Sequence, residues 1–270
     1  MAKAKNVIVY ILLLIASMGS LHGQTSPLAD EYIRAADDFK KNMKPDSAMV
    51  YYEKASVEFQ RLGNVEKFIS AYNQIGIILT RRDEYEKAKS YLDKALSTGL
   101  ASLDSNNLEI ATTYISLGVI YNAEEKYTDA LAYHNKALSI RLRQLGKNDA
   151  QVATSYGNIG NVYLYAKDYN KSIDAHSKAM KIREKVFGEK SAEIIESYRG
   201  LGNGYREKGE YKKALKYFEK ALENKIIQRG EGHKDLGRFY KNISEVYYLM
   251  ENKAQGDFYK SKSEEVLKNR

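Results

Sequence analysis

Apolar side chains recur along this chain at i, i+3, i+4 and i+7, the spacing that gathers them on one stripe of an α-helix. In "YRGLGNGY", Tyr198, Leu201, Gly202 and Tyr205 share such a face. A short polar stretch follows, and then "YKKALKYFEKAL" places Ala214, Phe218 and Ala221 on one face of a second helix. The pattern therefore predicts a pair of antiparallel helices packed through small residues, with aromatics filling the space around them. No strand is predicted before these segments.

The pair recurs. Segments "YNQIGIIL", "YISLGVIY", "YGNIGNVY", "YRGLGNGY" and "YKNISEVY" begin at Tyr72, Tyr114, Tyr156, Tyr198 and Tyr240, each 42 residues after the last. A sixth, "YIRAADDF", begins 40 residues before the first, at Tyr32. Second blocks carry Ala88, Ala130, Ser172 and Ala214, with Ala95, Ala137, Ala179 and Ala221 seven residues later. Glycine stands at one register of the first helix, at Gly76, Gly118, Gly160 and Gly202. A mid-helix glycine costs about 1 kcal/mol relative to alanine, so its recurrence implies a close helix crossing that offsets the loss.

The same reasoning disposes of a phosphate loop in "RGLGNGYREKGEY", residues 199–211. Such a loop turns between a strand and a helix, and no strand is predicted here. Gly202 is read as a crossing residue and Gly209 as part of the turn before the second helix. Gly200 and Gly204 have no packing reason in the pattern and are expected to loosen their helix.

These blocks follow the form W-x2-L-G-x2-Y…A-x3-F…A with tyrosine in place of tryptophan, and the chain resembles the tetratricopeptide repeat (TPR) family. The resemblance implies an all-α, right-handed superhelical solenoid of about six TPR helix pairs over residues 24–270. The repeats lie near 29–62, 69–102, 111–144, 153–186, 195–228 and 237–270. Their period exceeds the usual length of about 34 residues. That spacing, with "ALSIRLRQLG" and "AMKIREKVFG" before the inter-repeat turns, is similar to the repeats of kinesin light chain. Unlike that family, the turns lack His-Pro and no long heptad segment precedes the repeats. In the last repeat Lys253, Gly256, Lys260 and Ser263 replace the motif residues, as expected of a polar terminal unit that closes a solenoid core.

Residues 1–23 read as a cleavable export signal. Lys3 and Lys5 precede the apolar run "VIVYILLLIASM", and Gly23 offers a small residue before Gln24. The run is shorter than the ~20 residues a membrane span needs. Cleavage removes both lysines and no acid, so the net charge of +8 becomes +6. A periplasmic or secreted product is expected, meeting a membrane only through a partner.

Composition narrows the chemistry. With no cysteine, disulfides, thiol catalysis and Cys-based zinc sites are excluded. Positive charge is interspersed with acid, which argues against nucleic acid. The 23 tyrosines and absence of tryptophan need an explanation from the fold. Of four histidines, His22 lies in the signal and His233 in an inter-repeat turn, while His134 and His176 occupy the register held by Leu92 and Phe218 and read as packing residues. No nucleophile, base and orienting group come together. The chain is expected to be no enzyme and to need no cofactor or metal.

What remains is recognition. In the TPR family, residues two, five, six, nine, twelve and thirteen of each repeat face a concave groove. Transferred here, that implies a peptide-binding groove formed by Asn158, Asn161 and Tyr165 with Thr154 in repeat four, and Arg199, Asn203 and Arg206 in repeat five. Arg238, Lys241 and Asn242, with Tyr248, extend it in repeat six, and Asp30, Arg34 and Asp37 line the far end. Arg199, Asn203 and Asn242 match three positions of the family's carboxylate clamp. Amides both donate and accept, and guanidinium grips carboxylate. The expected partner is therefore a protein or peptide with an acidic or C-terminal carboxylate segment docked near repeats five and six. The alternative is a sensory or regulatory subunit signalling in trans to a membrane partner.

Overall fold

A computed structural model describes residues 26–268; the signal assigned to residues 1–23 lies outside them. The described residues form twelve α-helices and no strand. They are α1 (Pro27–Lys41), α2 (Pro45–Arg61), α3 (Val65–Thr80), α4 (Tyr85–Ser102), α5 (Leu108–Ala123), α6 (Tyr127–Leu145), α7 (Ala150–Tyr165), α8 (Tyr169–Phe187), α9 (Ile195–Glu207), α10 (Tyr211–Arg229), α11 (Gly237–Leu249) and α12 (Lys253–Lys268), with a 3₁₀ turn at Lys234–Leu236. They follow one another as consecutive helix pairs, the arrangement of a TPR solenoid. Two compact units divide between Ile120 and Tyr121.

Turn chemistry sets the pairing. Asn64, Asp149 and Asp168 cap their helices by accepting backbone N–H bonds. Within the pairs, the residue that reverses the chain has positive φ each time, at Met43, Asp83, Glu125, Lys167, Gly209 and Glu251. Only Gly209 adopts that conformation without a side-chain penalty, which is the turn role the sequence assigned to it.

In the first unit, Ala29, Ala55, Phe59, Phe68, Ile69 and Ala95 form a core bordered by Tyr32 and Tyr72. Gly76 lets Leu92 approach so closely that a Cβ there would lie 2.6 Å from Leu92 Cδ2. A polar bridge joins successive first helices: Asn73, fully buried, donates to the Glu109 carbonyl and carboxylate at 3.0 Å. Its own amide oxygen accepts from Thr113 Oγ1 at 2.8 Å.

In the second unit, Ile194, Ile195, Tyr198, Ala221 and Phe239 form one cluster, and Ala214, Leu215, Phe218, Ile243 and Val246 another. The tyrosine bias has its explanation here. Tyr121–Tyr133, Tyr205–Tyr217 and Tyr247–Tyr259 are stacked pairs, one ring from each helix of a pair, with centroids 5.1, 5.6 and 5.5 Å apart. Stacked rings contribute about 0.5–1.5 kcal/mol beyond their buried area. In the last pair, Ser244 and Ser263 donate to the carbonyls of Gly256 and Gly237 at 2.8 and 2.9 Å, so two of the small residues are buried cross-links between α11 and α12. Phe258 and Leu267 on α12 are exposed.

Candidate functional site

Within the second unit, α7 and α9 are first helices of adjacent repeats, and α8 lies beneath them. Between them is a groove of about 360 Å³. From α7 it is lined by Thr154, Gly157, Asn158, Asn161, Leu164 and Tyr165, from α8 by His176 and Arg183, and from α9 by Glu196, Arg199, Gly200 and Asn203. Tyr165 is exposed, Asn158 and Asn203 half-buried, and His176 buried.

Five of the nine residues assigned from sequence meet here: Asn158, Asn161, Tyr165, Arg199 and Asn203. They converge because positions one turn apart on α7 and α9 project to the same side. The other four do not line this groove. Arg206 donates to Glu245 at 2.9 Å and pairs with Glu207 at 3.1 Å. Lys241 lies 4.0 Å from Glu245, and Arg238 donates to Glu196 at 3.3 Å. Asn242 is half-buried on α11. The cations expected to draw an acidic segment towards repeats five and six are thus engaged by acids of the protein itself. Such exposed pairs contribute little to stability, but they reduce the positive field at that end. Within the first unit, Asp30 pairs with Lys67 at 2.8 Å, and Asp37 accepts from both Lys40 and the Tyr52 hydroxyl.

The floor of the groove is what the sequence pattern did not reveal. The His176 ring lies between two glycines. A Cβ on Gly160 would sit 2.7 Å from Cδ2 and Nε2, and one on Gly200 would sit 2.3 Å from Cε1 and Nδ1. Gly200 therefore has a packing role. So does Gly204, where a Cβ would meet Ile173 Cγ1 at 2.8 Å. The expectation that these glycines loosen α9 is corrected: they admit side chains of α8. Gly202 behaves as read, since a Cβ there would meet the Phe218 ring at 2.5 Å.

His176 packs as expected of its register, yet neither ring nitrogen has a hydrogen-bond partner. Burial, reinforced by Arg183 and Arg199, lowers its pKa to about 4, so the imidazole is neutral at pH 7. His134 is also lowered to about 4, by burial and then by Arg141.

Arg183 donates to Ser197 Oγ at 2.6 Å. One repeat earlier, Arg141 makes the equivalent link to Ser155 Oγ at 3.0 Å. Both tie the second helix of a repeat to the first helix of the next, and burial lowers the pKa of both guanidiniums. Arg199 pairs with Glu196 through Nη1, while its buried Nε has no partner. Glu196 and Glu245 were missed from sequence although they occupy the second and ninth positions of their repeats, which the groove rule already names.

Among the described residues, no group of three or more His, Asp or Glu could hold a metal ion, and no helix is long and apolar enough to cross a membrane.

The family profile for the tetratricopeptide repeat matches residues 67–143, 109–185 and 151–226. The chain belongs to the tetratricopeptide repeat family. Among solved structures it is similar to BtubC (BKLC) from P. vanneervenii, with TM-score 0.67 and 15% identity over 90% of this chain and 91% of that one. It is similar to the TPR-like repeats of a putative kinesin light chain from Podosopora anserina, with TM-score 0.61 and 12% identity over 76% and 99%. It also matches the apo form of RapI, with TM-score 0.66 and 16% identity over 98% and 92%. The likeness to kinesin light chain repeats read from the 42-residue period is therefore present in the fold. No curated protein matches the sequence.

Proposed function

We propose that the chain is an exported scaffold, periplasmic or secreted, that holds a protein or peptide segment in the groove between α7 and α9 without catalysing a reaction. The observation that carries this reading is the convergence of three asparagine amides, Arg199 and the exposed Tyr165 on two adjacent first helices. Amide groups at these positions can donate to and accept from an extended backbone, while an exposed aromatic supplies apolar contact at low entropic cost. The volume lies at the lower end of the range of about 300–1,000 Å³ typical of ligand sites, which suits a short segment. Export rests on the layout of residues 1–23, and the absence of catalysis on the sequence, in which no nucleophile, base and orienting group come together.

The test is panning of a random peptide library displayed on phage against residues 24–270. Recovered peptides should lose about tenfold or more in affinity for the Asn158→Ala, Asn203→Ala double variant, given about 1–2 kcal/mol for the hydrogen bonds removed. Peptides that bind the double variant unchanged would place recognition elsewhere on the molecule.

A further inference from the structure

The groove contains unused donors and an unbalanced charge. Of the side chains that line it, Arg183 and Arg199 are cationic and Glu196 alone is acidic. Glu196 is further divided between Arg199 and, outside the groove, Arg238. Arg199 Nε is buried without a partner, and the His176 ring, 2% exposed, has none at either nitrogen. Buried donors are costly to leave unsatisfied. The Arg199 Nε–H and the single N–H of the neutral His176 ring, both on side chains that line one cavity, mark a place where a ligand supplies what the protein does not. Gly160 and Gly200 have no side chain to displace the ring, which lets His176 pack between α7 and α9 and line the groove.

We propose that this pocket is a subsite for a single carboxylate, the side chain of an aspartate or glutamate in a bound extended peptide, received by the Arg199 Nε–H, the Arg183 guanidinium and the His176 ring N–H. The proposal rests on the peptide-groove reading and deepens it. A monoanion fits because the lining residues carry one uncompensated positive charge, which a dianionic phosphate would exceed. With its pKa near 4, His176 offers a neutral N–H donor at pH 7 without needing a proton. The asparagines on α7 and α9 are then placed for the backbone on either side of the acidic residue. This subsite differs from the clamp read from sequence in two respects: it lies between repeats four and five, and two of its three donors come from the second helix, α8.

The test uses the chain from residue 24 onward and three probes: acetyl-Ala-Asp-Ala-amide, its Asn counterpart, and acetyl-Ala-Ala with a free C-terminus. The readout is the ¹H–¹⁵N correlation of the His176 ring, assigned with the His176→Gln variant. The aspartate probe should shift the His176 signals saturably, with the asparagine probe about tenfold weaker, the ratio expected for one charge-assisted contact. Asn158→Asp puts a competing carboxylate at the pocket wall and should weaken the aspartate probe by about tenfold or more, with an unchanged circular dichroism spectrum showing that it folds. Equal response to the aspartate and asparagine probes, a response only to the free C-terminus, or unmoved His176 signals at millimolar probe would each overturn the subsite. If library peptides still bind and are blocked at Asn158 and Asn203 while His176 stays silent, the groove stands and the carboxylate subsite falls. If no peptide binds at all, both fall.

Discussion

Gly200→Ala is the sharpest test of how α8 and α9 fit together. In an isolated helix the change favours folding, because alanine is about 1 kcal/mol better than glycine in a helix interior. Here the added methyl would lie 2.3 Å from His176 Cε1 and Nδ1, more than an ångström inside ordinary carbon contact. The ring cannot retreat freely, since Gly160 holds its other side, where a Cβ would already be 2.7 Å away. Overpacking of this kind costs about 1–3 kcal/mol, enough to reverse the propensity gain. The decisive experiment is a double-mutant cycle with His176→Ala, followed by urea denaturation and far-ultraviolet circular dichroism. Gly200→Ala should destabilise the parent by about 1–2 kcal/mol and stabilise the His176→Ala background by about 0.5–1 kcal/mol. The coupling is then about 1.5–3 kcal/mol, within the range for residues in direct contact. The same effect in both backgrounds, or a stabilised parent, would refute the packing described for His176.

The two buried histidines also predict an acid sensitivity. Their folded pKa values, near 4, lie below the unfolded value of 6.5, so their contribution is complete above about pH 7 and is lost as pH falls towards 4. Each costs about 2 kcal/mol between pH 7 and pH 5; His176→Gln should lose correspondingly less stability over that interval in urea midpoints. Gly160→Leu should lower stability by about 1–3 kcal/mol through overpacking against His176, whereas the exposed Lys212→Ala should change it by under about 0.5 kcal/mol, and equal thermal midpoints would contradict the register. Expression of the full chain in a host that processes export signals should yield a mature N-terminus near Gln24; recovery of residues 1–23 intact in the membrane fraction would contradict export.

The helix pairs and their period were legible because each is set by something that recurs, and the repeat positions put Asn158, Asn161 and Asn203, though not Asn242, on one groove. The small residue at Gly76, Gly160 and Gly202 marks the same crossing in each repeat, and six copies in register leave little ambiguity. What escaped the pattern occurs once. Gly200 stands where the neighbouring repeats carry Ser116, Asn158 and Asn242, so alignment of repeats makes it look superfluous. Its reason is a single contact with His176, which belongs to the preceding repeat. Arg141 and Arg183 recur 42 residues apart and could have been noticed. Their partners, Ser155 and Ser197, lie fourteen residues on, in the next helix pair, and a reading confined to one repeat does not join them. Glu196 and Glu245 differ again: the positional rule puts them on the inner face, but which cations they reach, Arg199 and Arg238 for Glu196 and Arg206 for Glu245, depends on side-chain contacts that a position number does not give. Their consequence is electrostatic, shifting the unbalanced charge from repeats five and six to the pocket floored by His176.

The central claim is that partners are received between α7 and α9, and site-specific photo-crosslinking tests it most directly. Benzoylphenylalanine placed at Asn161, on the groove, and separately at Lys212, on the exposed side of α10, is irradiated in cells that export the chain. The account predicts a discrete covalent adduct from position 161 and none from position 212. An adduct from position 212 alone, with position 161 silent in a folded and exported protein, would contradict it.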